Sequence, residues 1–301
     1  MKPGAVKADL LLLLTAAIWG LAFVAQRVGM DYVGPFTYNA VRFAVGSLSL
    51  LPLILLSRKK ELQARPELTS GNGRTALVGG GIAGLILFAG ASLQQAGLVH
   101  TGAGKAGFIT GLYVVMVPLL GLFWKQRPTP GTWLGALLAA VGLYFLSVTE
   151  QFTISFGDLL VLLSACFWAG HVLIIGWLSP KTDSLKLAAV QFAVCSLLSL
   201  AVAAGLETMS LAAIWRAAMP ILYGGLFSVG IAYTLQVVAQ KDAHPAHAAI
   251  LLSLEGVFAA IGGWLLLGEL LSPRSLLGCA LMLCGMLLSE LSRYLCRDRE
   301  L

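Results

Sequence analysis

The stretch Asp9-Leu-Leu-Leu-Leu-Leu-Thr-Ala-Ala-Ile-Trp19 decides the fold, because it returns in mid-chain as Asp158-Leu-Leu-Val-Leu-Leu-Ser-Ala-Cys-Phe-Trp168, with seven of eleven positions identical at an offset of 149. A second stretch repeats at the same offset: Ala40-Val-Arg-Phe-Ala-Val-Gly-Ser-Leu48 matches Ala189-Val-Gln-Phe-Ala-Val-Cys-Ser-Leu197 at seven of nine. Leucine and alanine inflate such counts, but a shared offset with aligned Asp, Trp and Phe is hard to reach by chance. Later in each half the offset becomes 143: Pro130 meets Pro273, Leu134-Gly135 meets Leu277-Gly278, and Gly142 meets Gly285. The difference of six falls in the loop after the second apolar run, which is longer in the first half, roughly 58–74.

Composition explains why these runs are long. The 301 residues are 58% hydrophobic and 11% charged, with a mean hydropathy of +0.87. Soluble chains carry about 25% charged residues, and one soluble core stops growing at about this length. Lipid must therefore cover part of the apolar surface. Crossing the hydrocarbon takes about 20 apolar residues per helix. Runs of that length fall at 9–28, 35–57, 75–98, 103–124, 130–148, 157–178, 185–205, 217–239, 245–267 and 274–295. They are too long and continuous for barrel strands. The expected fold is an all-α integral membrane protein of ten transmembrane helices, with one repeat over 9–148 and the other over 157–295. Five helices per repeat is odd, so the second half runs inverted. Inverted repeats are a signature of secondary transporters, whose sites lie near the midplane between repeats.

The net charge of +6 and the pI near 9.2 are a topology signal rather than one for nucleic acid. With the N-terminus inside, 15 of the 20 basic residues fall at inner ends or loops, among them Lys2, Lys7, Arg58, Lys59, Lys60, Arg65, Arg74, Lys125, Arg127, Lys181, Arg293 and Arg297. The tails 1–8 and 296–301 are accordingly expected in the cytoplasm, and the protein in the inner membrane. An odd span count would strand the last arginines outside. Lys2 and Lys7 before an apolar run resemble a signal peptide, but no small-x-small cleavage site follows Gly20; the first run is expected to stay as a helix. Four of the five cysteines lie in apolar runs and none forms a Cys-x-x-Cys pair, so they read as small core side chains.

Other residues identify a family. Trp19-Gly20 in the first span, Arg42-Phe43 in the second, Ala103-Gly-Lys-Ala-Gly-Phe-Ile-Thr-Gly-Leu-Tyr-Val-Val-Met-Val-Pro118 in the fourth and Leu251-Leu-Ser-Leu-Glu-Gly-Val-Phe-Ala-Ala-Ile-Gly-Gly-Trp264 with Gly268-Glu269 in the ninth resemble the drug/metabolite transporter superfamily, in its EamA branch. The resemblance covers nearly the whole chain. It implies ten helices, a central cavity between the halves and alternating access. Substrates in the family range over amino acids, sugars, nucleotide derivatives and drugs; bacterial members of the branch mostly export amino acids and related metabolites. The family often has proline after the ninth-span acid, where this chain has Gly256.

Ionisable groups inside spans are costly and therefore functional candidates. Glu255 stands in mid-span among Ala248, Leu251, Leu252, Phe258, Ala259 and Gly262, and at the 143 offset its counterpart is Leu112. It reads as a proton or substrate-ammonium site, or as the structural partner of a buried cation. Arg42, aligned with Gln191, reads as a carboxylate ligand, as a partner for Glu255, or as an arginine snorkelling to headgroups. Repeat-related Trp19 and Trp168 carry Gln26 and His171 on their own helix faces. Gln94, Gln95, Tyr113, Tyr233 and Gln236 complete the candidate cavity lining; helix packing is the alternative for each. Glu269 and Glu290 are expected to reach interfacial water, and Lys105 to anchor the outer end of the fourth span.

Several patterns are set aside. Gly102-x-Gly104-x-x-Gly107 resembles a dinucleotide turn, but no strand precedes it; Gly107, Gly80 and Gly84 fit close helix packing. Asp242, His244 and His247 lack a further histidine, so no metal is expected. No Walker, nucleophile-elbow or zinc-protease motif occurs, so no cofactor and no ATP hydrolysis within the chain are expected. The expected partners are a small-molecule substrate and lipid, with the protein a monomer or homodimer and not an enzyme. The leading reading is a secondary transporter exporting amino acids or related metabolites. The alternatives are a drug or lipid-linked sugar carrier and, further off, a membrane-embedded enzyme.

Overall fold

The computed structural model describes residues 3–64, 73–124, 130–147, 154–243 and 245–297. Every regular element among them is helical. In order these are α1 (Pro3–Gly29), α2 (Pro35–Ala64), α3 (Gly73–Leu98), α4 (Ala103–Gly111), α5 (Tyr113–Gly121), α6 (Pro130–Ser147), α7 (Phe156–Leu178), α8 (Ser184–Leu206), α9 (Leu211–Arg216), α10 (Ala218–Leu222), a π-helical stretch Tyr223–Tyr233, α11 (Thr234–Ala239), α12 (Pro245–Ser253), α13 (Glu255–Leu267) and α14 (Pro273–Arg297), with 3-10 turns at Leu122–Trp124 and Ser179–Lys181.

Eight helical segments among the described residues are long and apolar enough to cross a membrane; two further apolar helices, Trp133–Leu146 and Pro273–Gly285, are shorter. These two lie in α6 and α14, the fifth and tenth expected spans. Large apolar side chains turn outward, as at Leu10, Leu48, Leu55, Leu77 and Leu197. The buried set is rich in alanine and carries polar groups such as Thr15, Asn39, Gln95 and Gln191. Water as solvent would favour the reverse arrangement; a lipid exterior favours this one, since helices in lipid associate through small residues and shared hydrogen bonds.

The glycines show how close the helices come. A Cβ on Gly107 would stand 2.5 Å from Ala259 Cβ and 3.2 Å from Gly256 Cα, so α4 and α13 meet nearly backbone to backbone. In α6 and α14 one contact occurs twice: a Cβ on Gly142 or Gly278 would stand 2.6 Å from the other's carbonyl oxygen, and one on Gly285 would stand 2.5 Å from the Gly135 carbonyl oxygen.

Two long helices break at matching points. Leu112 (φ −60°, ψ −15°) separates α4 from α5, and Leu254 (φ −61°, ψ −12°) separates α12 from α13. At each break the leucine carbonyl accepts from two successive amides, Val115 and Met116 in one case, Val257 and Phe258 in the other. The ninth-span break thus forms without a proline. The pairing also corrects the register: the breaks are 142 residues apart, so the counterpart of Glu255 is Tyr113, not Leu112. One residue is gained between here and α6, and the 143 offset carried back from Pro130 overshoots by one.

Candidate functional site

Tyr233 is the aromatic hub of the interior. Its ring lies 4.5 Å from Trp19, 5.9 Å from Phe192, 6.0 Å from His171, 6.1 Å from Trp168 and 6.2 Å from Phe43 between centroids. It sits where the π-helical stretch returns to α-helix at Thr234. Such widened turns are rare and cluster at functional sites. Here the stretch meets α2 closely, with Gly225 against Val45 and the Arg42 carbonyl, and Gly46 against Val229.

Around this cluster the helices line a small cavity of about 30 Å³. All of the residues singled out from the sequence line it except Gln95: Trp19 and Gln26 from α1, Arg42 from α2, Gln94 from α3, Tyr113 at the head of α5, Trp168 and His171 from α7, Tyr233, Gln236 from α11 and Glu255 at the head of α13. Gln95 lies behind the wall, where its Nε2 donates to the Gln26 carbonyl at 3.1 Å. Sequence reasoning missed Phe23, Thr110, Val172 and Ser228, which also line the space. Thr110 had a usable signal, three residues before Tyr113 and so on its helix face. Trp19 is half-buried and the other sequence candidates are buried.

One wall is tied by a chain of side-chain hydrogen bonds. Trp168 Nε1 donates to Gln94 Oε1 (2.7 Å), Gln94 Nε2 donates to Gln26 Oε1 (3.2 Å), and Gln26 Nε2 donates to the Ala22 carbonyl (3.2 Å). His171 Nε2 meets Gln191 Oε1 at 2.8 Å. The other wall differs. Both ends of the Gln236 carboxamide and Thr110 Oγ1 are buried without a hydrogen-bond partner among the described residues, whereas the Tyr113 hydroxyl faces the Glu255 carboxyl. A buried polar atom left unpaired costs about 1–3 kcal/mol, so several on one wall mark a surface suited to a polar guest.

Arg42 does not reach headgroups: it is 1% exposed. Its Nε donates to Asn39 Oδ1 at 2.9 Å, and Asn39 Nδ2 donates to the Ala91 carbonyl at 3.1 Å. The guanidinium carbon stands 4.8 Å from the Phe43 ring centre and 5.5 Å from that of Tyr38, a setting that favours a cation electrostatically. Glu255 lies beside Tyr113. Among the described residues, Arg42 and Glu255 form no ion pair with each other or with any other group. The cavity therefore presents one basic group, on α2, and one acidic group, at the head of α13.

Charged contacts close one end of the bundle. Lys105 Nζ meets Asp158 Oδ2 at 2.5 Å, and Thr101 Oγ1 donates to Asp158 Oδ1 at 2.7 Å, with Asp158 fully buried. Lys105 thus ties the start of α4 to the start of α7, a partner its anchoring role in the sequence did not suggest. Glu269 is not simply in interfacial water. It accepts from the Ala103 and Gly104 amides at 2.8 and 3.0 Å and caps α4, where the helix dipole favours a carboxylate. The Gly102–Gly107 pattern thus receives a side chain, not a phosphate. Glu207 serves α2 in the same way, accepting from the Phe36 and Thr37 amides, both at 2.8 Å. Asp242 is exposed; His244 and the side chains of His247 and Glu290 lie outside the described residues.

The profile of the EamA-like transporter family matches residues 6–148 and again 155–291. An uncharacterized transporter of Archaeoglobus fulgidus is 33% identical over 285 residues, covering 94% of this chain and 86% of its own length. The uncharacterized transporters YwfM and YoaV of Bacillus subtilis are 28% and 24% identical, covering 93% and 94% of the chain and 92% and 97% of their own lengths. A solved crystal structure at 18% identity shares the fold with a TM-score of 0.68, over 96% of this chain and 98% of the other.

Proposed function

Because the chain belongs to the EamA-like transporter family, and is thus a multi-pass membrane protein of a transporter family, we propose that it exports amino acids or related small metabolites by alternating access. On this reading it works in the inner membrane with ten spans, two inverted five-helix halves and both termini in the cytoplasm. The observation that carries it is the pair of buried ionisable groups, Arg42 and Glu255, lining one cavity with no ion pair between them among the described residues. A zwitterion answers both: its carboxylate suits the guanidinium fork, and its ammonium suits the Glu255 carboxylate. The unpaired polar atoms of Gln236 and Thr110 are available to the rest of the molecule.

Glu255 also suits proton coupling. A carboxyl among apolar helices is most stable when neutralised, by a proton or by a cationic substrate group, but not by both at once. That exclusion is the minimum needed for exchange of substrate against protons. The aromatic cluster around Tyr233 supports a second reading, a carrier for planar drugs that stack on Trp19 and Tyr233.

The test is counterflow of labelled amino acids in liposomes, with and without a pH gradient. Saturable exchange of one class supports the first reading and names the substrate. A flat amino-acid panel beside saturable uptake of planar cationic drugs would move the assignment to the second.

A further inference from the structure

Away from the cavity, α3 and α7 pack at Gly79 and Leu178 and leave beside that contact a groove of about 330 Å³ open to the outside. Its walls are apolar: Val78, Gly79 and Ile82 on α3, and Ile174, Trp177 and Leu178 on α7. Arg74, in the first turn of α3, closes its polar end. Trp177 is exposed, and the Lys181 ammonium stands 3.4 Å from its ring centre, which brings a second cation to the same rim. Neither Arg74 nor Lys181 forms an ion pair among the described residues. From Arg74 to Ile82 the helix rises about 12 Å, so the apolar floor runs well into the hydrocarbon below the charged rim.

We propose that this groove is a binding site for one anionic phospholipid, its phosphate between Arg74 and Lys181, its glycerol backbone at Trp177 and one acyl chain along Val78, Ile82 and Ile174. Charge complementarity commits the occupant. A zwitterionic lipid would fill the apolar floor equally well, but its own ammonium offsets its phosphate beside the two cations, whereas an anionic lipid leaves its phosphate to neutralise them; a free phosphate would meet the cations but leave the floor bare. Basic pockets between spans recognise acidic headgroups for the same reason, and tryptophan favours the headgroup level.

The test is native mass spectrometry of the full chain released from detergent, with dioleoylphosphatidylglycerol or dioleoylphosphatidylcholine added. Wild type should retain phosphatidylglycerol in preference to phosphatidylcholine. The Arg74→Gln/Lys181→Gln variant should lose that preference, by about fivefold for each charge removed. Ile82→Trp keeps both charges but fills the floor, and should lose phosphatidylglycerol as well. Equal retention of the two lipids by wild type, full retention by the double variant, or displacement of phosphatidylglycerol by glycerol phosphate would each overturn the proposal. Melting temperatures within a few degrees of wild type establish that the variants are folded, and the readout does not depend on any transported substrate.

Discussion

Glu255 and Tyr113 hold matching places, each the first helical residue after a break, behind Leu254 and Leu112 respectively, and the two meet across the cavity. Two antiparallel broken helices bring them together, and only one of the two is acidic. Replacing Glu255 by Gln keeps the shape and removes the titration. The expected result is loss of pH-driven flux, about tenfold or more, a barrier of about 1.4 kcal/mol, with thermal stability unchanged or raised. Flux driven equally well by a pH gradient in the variant would end the coupling role.

Arg42 is expected to resist conservative exchange. Lysine keeps the charge but lacks the planar fork that donates to Asn39 and presents further N–H groups. Both Arg42→Lys and Arg42→Gln should raise the apparent substrate KM by about 10- to 100-fold, the worth of about 1.5–3 kcal/mol for a charged hydrogen bond. A lysine variant with wild-type KM would reduce Arg42 to a plain positive charge.

Gln94 and Gln236 are also 142 residues apart, and their environments predict opposite phenotypes. Gln94→Leu strands the Trp168 indole N–H and Gln26 Oε1, and should destabilise the protein by about 1–3 kcal/mol, read as a lower melting temperature in detergent. Gln236→Leu removes two unpaired atoms and should leave the melting temperature level or higher while transport falls. The assignment of the two walls fails if these phenotypes are exchanged.

Lys105→Met leaves the fully buried Asp158 without its cation. Breaking a buried pair costs about 3–5 kcal/mol, and the partial exposure of Lys105 puts the expectation at the low end. Adding Asp158→Asn should recover most of the loss. A double variant no more stable than Lys105→Met would show that the pair does not hold α4 to α7.

Apolar runs, repeat offsets and isolated polar residues made most of the cavity lining legible, because a lipid exterior leaves few reasons to bury Gln, Arg or Glu. The local register was less legible. Leu112 was matched to Glu255 because the offset was carried back from Pro130, and a single residue's shift moves a side chain by about 100° around a helix. The π-helical stretch left no readable period in Tyr-Gly-Gly-Leu-Phe-Ser-Val-Gly-Ile-Ala-Tyr. The Lys105–Asp158 and Glu269–α4 contacts link segments 53 and more than 160 residues apart, and no local pattern announces a partner at that distance.

The doubled glycine contact between α6 and α14 bears on how the halves meet. Gly142 meets Gly278 as Gly135 meets Gly285, and each member of one pair lies 143 residues from its equivalent in the other. A surface that satisfies itself in this way is isologous. Each half therefore carries a face shaped for the matching face of the other, and a change at one of these glycines disturbs the same contact that its equivalent makes across the seam.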